Sequence, residues 1–173
     1  MLRRLPTALQ LFVALMAAMA AGGCSSDINF RRIPYARVYV AFTTEGDWNV
    51  YGAPAAMDSR RFIREDRVPA DYPYSELSFT GYGGVLLTCD VYGVNHVFDL
   101  ACPVERQPQV RVVVDLDAAL ARCPKCGSTY DVFNVNGGEG GSPMGGMAAE
   151  ERYGLTRYNM VYGADGRYAL LTH

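Results

Sequence analysis

The chain has 173 residues, and half of them are hydrophobic, which is enough for one sizeable core but leaves little room for a second independent domain. Its 16 basic and 18 acidic residues give a net charge of −2. Because this composition offers no basic surface that could neutralise phosphates, nucleic acid is excluded as the expected partner.

The first 23 residues have the pattern of an export signal. Arg3 and Arg4 precede an almost unbroken apolar run from Leu9 to Ala21. This run is shorter than the roughly 20 residues that a membrane-spanning helix needs, so a cleaved signal is favoured over a permanent anchor. The sequence therefore predicts that residues 1–23 are removed during export.

The end of this segment predicts a lipid attachment site. Ala21-Gly22-Gly23-Cys24 resembles the bacterial lipobox, in which the peptidase cuts before a cysteine whose thiol carries diacylglycerol. Cys24 is then the lipidated first residue, and the polar stretch 24–33 is a tether. We expect a protein held at a membrane of the cell envelope, on the periplasmic or outer-membrane face.

Residues 34–173 are expected to form one all-β domain, a small sandwich or barrel of short strands. The strand candidates are rich in β-branched and aromatic residues and are separated by turn residues: Ala36 to Phe42, Val85 to Val91, His96 to Leu100, Val110 to Val114, Leu120 to Arg122, Leu155 to Tyr162 and Arg167 to Leu171. Only Asp117 to Arg122 resembles a helix, and it is short. The charged segment Gly52 to Pro73 is expected to be a solvated loop or edge, with Thr43 to Asp47 as a turn. The glycine-rich segment Gly137 to Gly146 is expected to be a flexible covering loop.

Two cysteine-bearing loops carry the chemistry of the chain. Cys102-Pro103 and Cys123-Pro124-Lys125-Cys126-Gly127 each follow a predicted strand and open with Cys-Pro. We expect them to lie side by side at one end of the domain. Cys89 is placed opposite Val97 in the predicted hairpin, on the order of 16 Å from Cys102 at about 3.3 Å per strand residue, and is expected to be a buried thiol.

The order of these features resembles the Rieske iron–sulfur family over roughly Gly83 to Leu171. The similarity includes the Gly-Ser-Thr-Tyr-Asp run 127–131, a glycine and proline loop around Pro143 and a final hairpin with Asp-Gly at its turn. In that family the loops read C-x-H and C-x-x-H and hold one [2Fe–2S] cluster on two thiolates and two imidazoles. The resemblance implies a Rieske-like fold, in which Ser128 would hydrogen-bond a cluster sulfide and Tyr130 a cysteine sulfur.

The ligand positions depart from the family pattern. Val104 and Cys126 stand where the family has histidine, and valine cannot bind iron. Cys102, Cys123 and Cys126 remain as candidate ligands of a metal or cluster. Glu105, three residues after Cys102, is the nearest candidate for a fourth place, and its alternative is a solvated acid beside Arg106. The chain's two histidines, His96 and His173, do not stand at ligand positions of the family.

Three functional hypotheses follow, and none is an enzyme, because no serine, histidine and acid arrangement is identifiable. The first is a non-catalytic binding or scaffold protein with an unidentified protein partner, whose site is empty or closed by a disulfide from Cys102 to Cys123 or Cys126. The second is a metal, such as zinc, on the three cysteines. The third is a [2Fe–2S] electron carrier.

Overall fold

The computed structural model describes residues 27–173. The predicted signal segment 1–23 and the predicted lipid site at Cys24 lie outside the described residues. Among the helices from residue 27 onward, none is both long enough and apolar enough to cross a membrane.

The all-β prediction is confirmed. Residues 27–173 contain two short α-helices, α1 (Glu45–Tyr51) and α2 (Met147–Glu150), and eleven strands. The strands are β1 (Val38–Phe42), β2 (Ser59–Phe62), β3 (Phe79–Thr80), β4 (Val85–Cys89), β5 (Asn95–Asp99), β6 (Val113–Asp115), β7 (Leu120–Arg122), β8 (Thr129–Asp131), β9 (Ser142–Gly145), β10 (Arg157–Tyr162) and β11 (Ala169–Thr172).

The strands form two antiparallel sheets. The large sheet is nearly closed into a barrel, in the order β2-β4-β5-β10-β11-β1-β3, and the small sheet has the order β6-β7-β8-β9. The chain leaves the large sheet after β5, builds the whole small sheet, and returns to pair β10 beside β5. Both cysteine loops therefore belong to the segment between these two neighbouring strands.

The expected turn at Thr43 to Asp47 is in fact the start of helix α1. The Thr44 hydroxyl accepts the Asp47 N–H at 3.0 Å, and the Asp47 carboxylate accepts the Thr44 N–H at 3.0 Å. This reciprocal pair is a capping box, which satisfies helix N–H groups that would otherwise lack partners. The helix then buries Trp48 edge-on against Phe42, with ring centroids 5.1 Å apart.

The hairpin of β4 and β5 has a different register from the predicted one. Cys89 pairs with Asn95, where the sequence pattern placed it opposite Val97. Asp90 explains the difference, because its carboxylate accepts the backbone N–H of Tyr92 at 2.9 Å and of Val94 at 2.8 Å. These bonds end strand β4 at Cys89 and make a longer turn.

Other predicted elements are confirmed or adjusted. The charged segment supplies an edge strand, β2, and the final hairpin is β10 with β11. Of the helix-like residues 117–122, residues 117–119 form a turn and residues 120–122 are strand β7. The strand expected at Val110 to Val114 begins only at Val113. The expected covering loop Gly137 to Gly146 is partly strand, because β9 pairs with β8.

Two apolar cores result from this arrangement. The barrel core lies inside the large sheet and includes Val40, Phe42, Phe62 and Leu87. The inter-sheet core lies between the sheets and consists of Ile63, Leu86, Phe98, Leu100, Cys102, Val112, Ala121, Cys123, Tyr130, Val132, Phe133, Ala148 and Leu155. Two of the candidate site cysteines are thus members of the inter-sheet core.

A buried carboxylate fixes the chain just before the first cysteine loop. Asp99, which is fully buried, accepts hydrogen bonds from the N–H groups of Tyr82, Gly83 and Ala101 at 2.7, 3.0 and 2.7 Å. It also accepts one from the Tyr158 hydroxyl at 2.6 Å. Burial raises the pKa of Asp99, and these four donors oppose that shift. The carboxylate joins β5, β10 and the glycine loop before β4.

We expect Asp99→Ala to lower the free energy of unfolding by at least about 3 kcal/mol, because a buried donor left without its acceptor costs roughly 1–3 kcal/mol. Urea denaturation followed by tryptophan fluorescence measures this change. Asp117→Ala, which removes an exposed carboxylate, is the control and should change stability by less than about 0.5 kcal/mol. Equal stabilities of the two variants would show that the Asp99 network contributes little.

Candidate thiol site

The site is built from two tight turns at the ends of strands. In the Cys102 turn (Cys102–Arg106), the Arg106 N–H donates to the Cys102 carbonyl at 2.8 Å. In the Cys123 turn (Cys123–Gly127), the Gly127 N–H donates to the Cys123 carbonyl at 3.0 Å. Backbone bonds hold each turn to its strand, from Cys102 N–H to the Val110 carbonyl at 2.9 Å and from Cys123 N–H to the Ser128 carbonyl at 2.9 Å.

The two turns bring three sulfurs together. The Sγ atoms of Cys102, Cys123 and Cys126 all lie within 4.8 Å of one another, and those of Cys102 and Cys126 are 3.6 Å apart. Cys102 and Cys123 are fully buried, whereas Cys126 is partly exposed. The prediction that the two loops lie side by side at one end of the domain is confirmed. The three cysteines are called the thiol site below.

Ser128 and Tyr130 both contact the thiol site. The Tyr130 hydroxyl lies 3.5 Å from Cys102 Sγ, and the Ser128 hydroxyl lies 3.3 Å from Cys126 Sγ. While Cys126 is protonated, its thiol donates to Ser128 Oγ, which also accepts the Ala148 N–H at 3.2 Å. Once Cys126 loses its proton, the Ser128 hydroxyl can turn its own proton toward the sulfur. Each of these two sulfurs therefore has an O–H group beside it that can stabilise a thiolate.

The thiols of Cys102 and Cys126 differ in acidity. Burial raises the pKa of Cys102 to about 12, although the Tyr130 hydroxyl and the backbone N–H groups of Glu105 and Val104 act in the opposite direction. Burial also opposes ionisation of Cys126, but hydrogen bonds from Ser128 and the neighbouring thiols outweigh it and lower the pKa of Cys126. Burial raises the pKa of Tyr130, so its hydroxyl stays a donor. In the reduced protein without a metal, Cys126 is the more acidic of the two thiols.

The Glu105 carboxylate contacts Lys125 and is not among the ligand atoms that converge at the thiol site. Glu105 Oε2 is 2.5 Å from Lys125 Nζ, so the carboxylate of the Cys102 turn forms an ion pair with the lysine of the Cys123 turn. The Glu105 side chain is only 16% exposed, which corrects the alternative of a solvated acid. Val104 is partly buried and packs against the inter-sheet core.

Among the described residues, the remaining cysteine and the two histidines lie elsewhere. Cys89 belongs to the barrel core, and burial raises its pKa. His96 Nε2 is 2.9 Å from Asp90 Oδ2, and the ring of His173 packs edge-on against Tyr35.

Lys125 is the one residue at the site that the sequence reasoning missed. The sequence feature that could have identified it is its position between Cys123 and Cys126, since the other cysteine turn carries the acidic Glu105. Recognising the ion pair requires knowing that the two turns face each other, which the order of the strands does not reveal.

No family model, curated protein or solved structure matches this chain. The chemistry of the site is therefore inferred from its own geometry.

We expect iodoacetamide to modify Cys126 at least about ten times faster than Cys102 in reduced, metal-free protein at pH 7.5, because the thiolate is the reactive form. Cys126 is both partly exposed and more acidic, whereas Cys102 is buried with a raised pKa. Mass spectrometry of peptides sampled over time gives both rates. Ser128→Ala should slow the reaction at Cys126, since it removes a donor to the thiolate. Equal rates at the two cysteines in the parent protein would contradict this assignment.

Proposed function

We propose that this protein is a lipid-anchored component of a bacterial cell envelope whose Rieske-like domain binds one thiophilic metal ion through Cys102, Cys123 and Cys126. The observation that carries the proposal is the convergence of the three sulfurs within 4.8 Å of one another. Two thiolates bound to one tetrahedral zinc by bonds of about 2.3 Å lie roughly 3.8 Å apart. The 3.6 Å between Cys102 and Cys126 is close to that value. The role is binding, not catalysis.

The Rieske-like part of the proposal is supported by topology and by two contacts. The small sheet, with both cysteine turns, is inserted between adjacent strands β5 and β10 of a barrel-like sheet. Tyr130 lies beside a cysteine sulfur, the role that the resemblance gives to this tyrosine. Ser128 also faces the site, beside the sulfur of Cys126.

The two-iron cluster of that family does not fit these residues. The family's [2Fe–2S] cluster is held by two thiolates and two imidazoles. Val104 and Cys126 stand at the two histidine positions, so neither position supplies an imidazole and Val104 supplies no donor atom. We therefore propose no electron transfer through such a cluster.

A cofactor-free scaffold is the second candidate, and the short distance between Cys102 and Cys126 favours it. The cysteines in residues 27–173 carry free thiols, and closing the 3.6 Å gap between the sulfurs of Cys102 and Cys126 to roughly 2.05 Å would form a disulfide. Such a bridge joins positions 24 apart and would stabilise the fold by roughly 3 kcal/mol. An oxidising compartment promotes this outcome.

Metal analysis distinguishes the two candidates. We expect anaerobically purified protein to hold one metal ion per chain, and Cys102→Ser, Cys123→Ser and Cys126→Ser each to lose it. Cys89→Ser is the matched control, because Cys89 is a buried thiol of the other core, and this variant should keep the metal. Elemental analysis with thiol counting measures both quantities. Protein without metal, with two thiols fewer before reduction than after it, would support the scaffold instead.

The lipid anchor rests on the sequence alone and has its own test. We expect Cys24→Ala to block processing of the signal segment and to abolish labelling with a radioactive fatty acid. Ser25→Ala is the control and should be processed and labelled like the parent. Normal labelling and membrane retention of the Cys24→Ala protein would contradict the lipoprotein assignment.

A further inference from the structure

The two cysteine turns have the same backbone. Each begins with Cys-Pro, and in each the fifth residue donates its N–H to the carbonyl of the first, at 2.8 Å in the Cys102 turn and 3.0 Å in the Cys123 turn. The fifth residue has a positive φ in both, 55° at Arg106 and 73° at Gly127. An arginine adopts this conformation far less readily than a glycine, so its presence indicates that the turn geometry itself is required.

Because the two turns have the same backbone, their fourth residues occupy equivalent positions. In the Cys123 turn the fourth residue is Cys126, which joins Cys123 in the thiol site. In the Cys102 turn the fourth residue is Glu105. This equivalence places Glu105 at the position of its turn from which a side chain can reach the thiol site, although its carboxylate contacts Lys125 and is not among the converging ligand atoms. Its burial, with 16% of the side chain exposed, agrees with this placement.

We propose that Glu105 is the fourth ligand, and that the site is a tetrahedral centre of three thiolates and one carboxylate for Zn²⁺. This inference rests on the proposed function and specifies its metal. Each turn contributes two ligands, Cys102 with Glu105 and Cys123 with Cys126. On binding, the three thiols release their protons to solvent, and each sulfur and one carboxylate oxygen donate an electron pair to the cation.

Lys125 is the positioning residue of this centre. Its ammonium contacts Oε2 of Glu105, so Oε1 is the oxygen that binds the metal. A group that holds the outer atom of a ligand fixes the orientation of that ligand. Three thiolates, one carboxylate and Zn²⁺ sum to a charge of −2, and the cationic Lys125 reduces this to −1. A partly buried site tolerates the smaller charge better.

The donor set selects zinc among the thiophilic ions. Zn²⁺ takes four ligands in a tetrahedron and binds both cysteine sulfur and glutamate oxygen. Cu(I) prefers thiolate and thioether ligands, so a carboxylate would add little to its binding. A fourth ligand that is an oxygen therefore distinguishes a zinc site from a copper site made by the same cysteines.

The test uses Zn²⁺ for affinity and Co²⁺ as a spectroscopic probe, on reduced full-length protein under anaerobic conditions. Competition with a chromophoric chelator should show one tight zinc site that Glu105→Gln weakens at least about ten-fold and Lys125→Met weakens about ten-fold. Glu105→Cys should bind zinc at least as tightly as the parent. In the cobalt complex of Glu105→Cys, the thiolate-to-metal charge-transfer band should be more intense than in the parent, because one further sulfur binds the metal. Glu76→Gln removes the same charge at an exposed position in the loop before β3 and should leave zinc affinity unchanged.

The outcomes separate this inference from the proposed function. If Glu105→Gln binds zinc as tightly as the parent, Glu105 is not a ligand, while a site of three cysteines remains. If the parent protein itself binds neither metal, the proposed function is wrong. Should Glu105→Gln fail to fold by circular dichroism, Glu105→Cys decides, because an unchanged cobalt spectrum in that variant excludes residue 105 from the metal.

Discussion

The packing of the small sheet on the large sheet is the constraint that positions both cysteine turns. Four strands of three or four residues each cannot enclose a core of their own, so they share one with Leu86, Phe98 and Leu100 of the large-sheet side. Val112 N–H donates to the Leu100 carbonyl at 2.8 Å, and the buried Thr88 hydroxyl donates to the Val132 carbonyl at 2.8 Å. These bonds tie the two sheets together beneath the thiol site. The distance between the turns is therefore set by a packed core and not by flexible loops.

This position also explains why cysteine suits the site. A thiol is a weak hydrogen-bonding group that packs like a small apolar side chain, so Cys102 and Cys123 can complete the inter-sheet core while protonated. A buried thiolate without a counter-charge is costly, and this cost is why burial raises the pKa of Cys102. A bound cation would offset the cost directly. Burial in the core thus favours the protonated thiols, whereas the proposed metal would bind the thiolates. The hydroxyls of Ser128 and Tyr130 can stabilise the thiolate form.

The sequence predicted the parts of the structure that local chemistry determines. Runs of β-branched and aromatic residues between turn residues identified the hairpin strands, and Cys-Pro after a strand identified both turns. Two errors came from side chains that hydrogen-bond to nearby backbone groups, and one came from a contact between turns that are distant in sequence. The residues read as a turn before Trp48 cap helix α1, whose partner Phe42 lies on a strand. The hairpin register was shifted because Asp90 holds its own turn with two backbone bonds. Predicting the ion pair of Glu105 with Lys125 would have required knowing that two turns far apart in sequence face each other.

The contacts at the thiol site can be compared with what a disulfide and a bound metal ion would each require. A disulfide from Cys102 to Cys126 uses two of the three sulfurs and assigns no role to the buried thiol of Cys123. It also gives no reason for a carboxylate of one turn to meet an ammonium of the other across the site. The proposed metal ion would use all three sulfurs, which come from two turns that share the same backbone bond and a positive φ at the fifth residue. In the proposed centre, each turn would supply two anionic donors, and the total of four is the number that a tetrahedral ion requires.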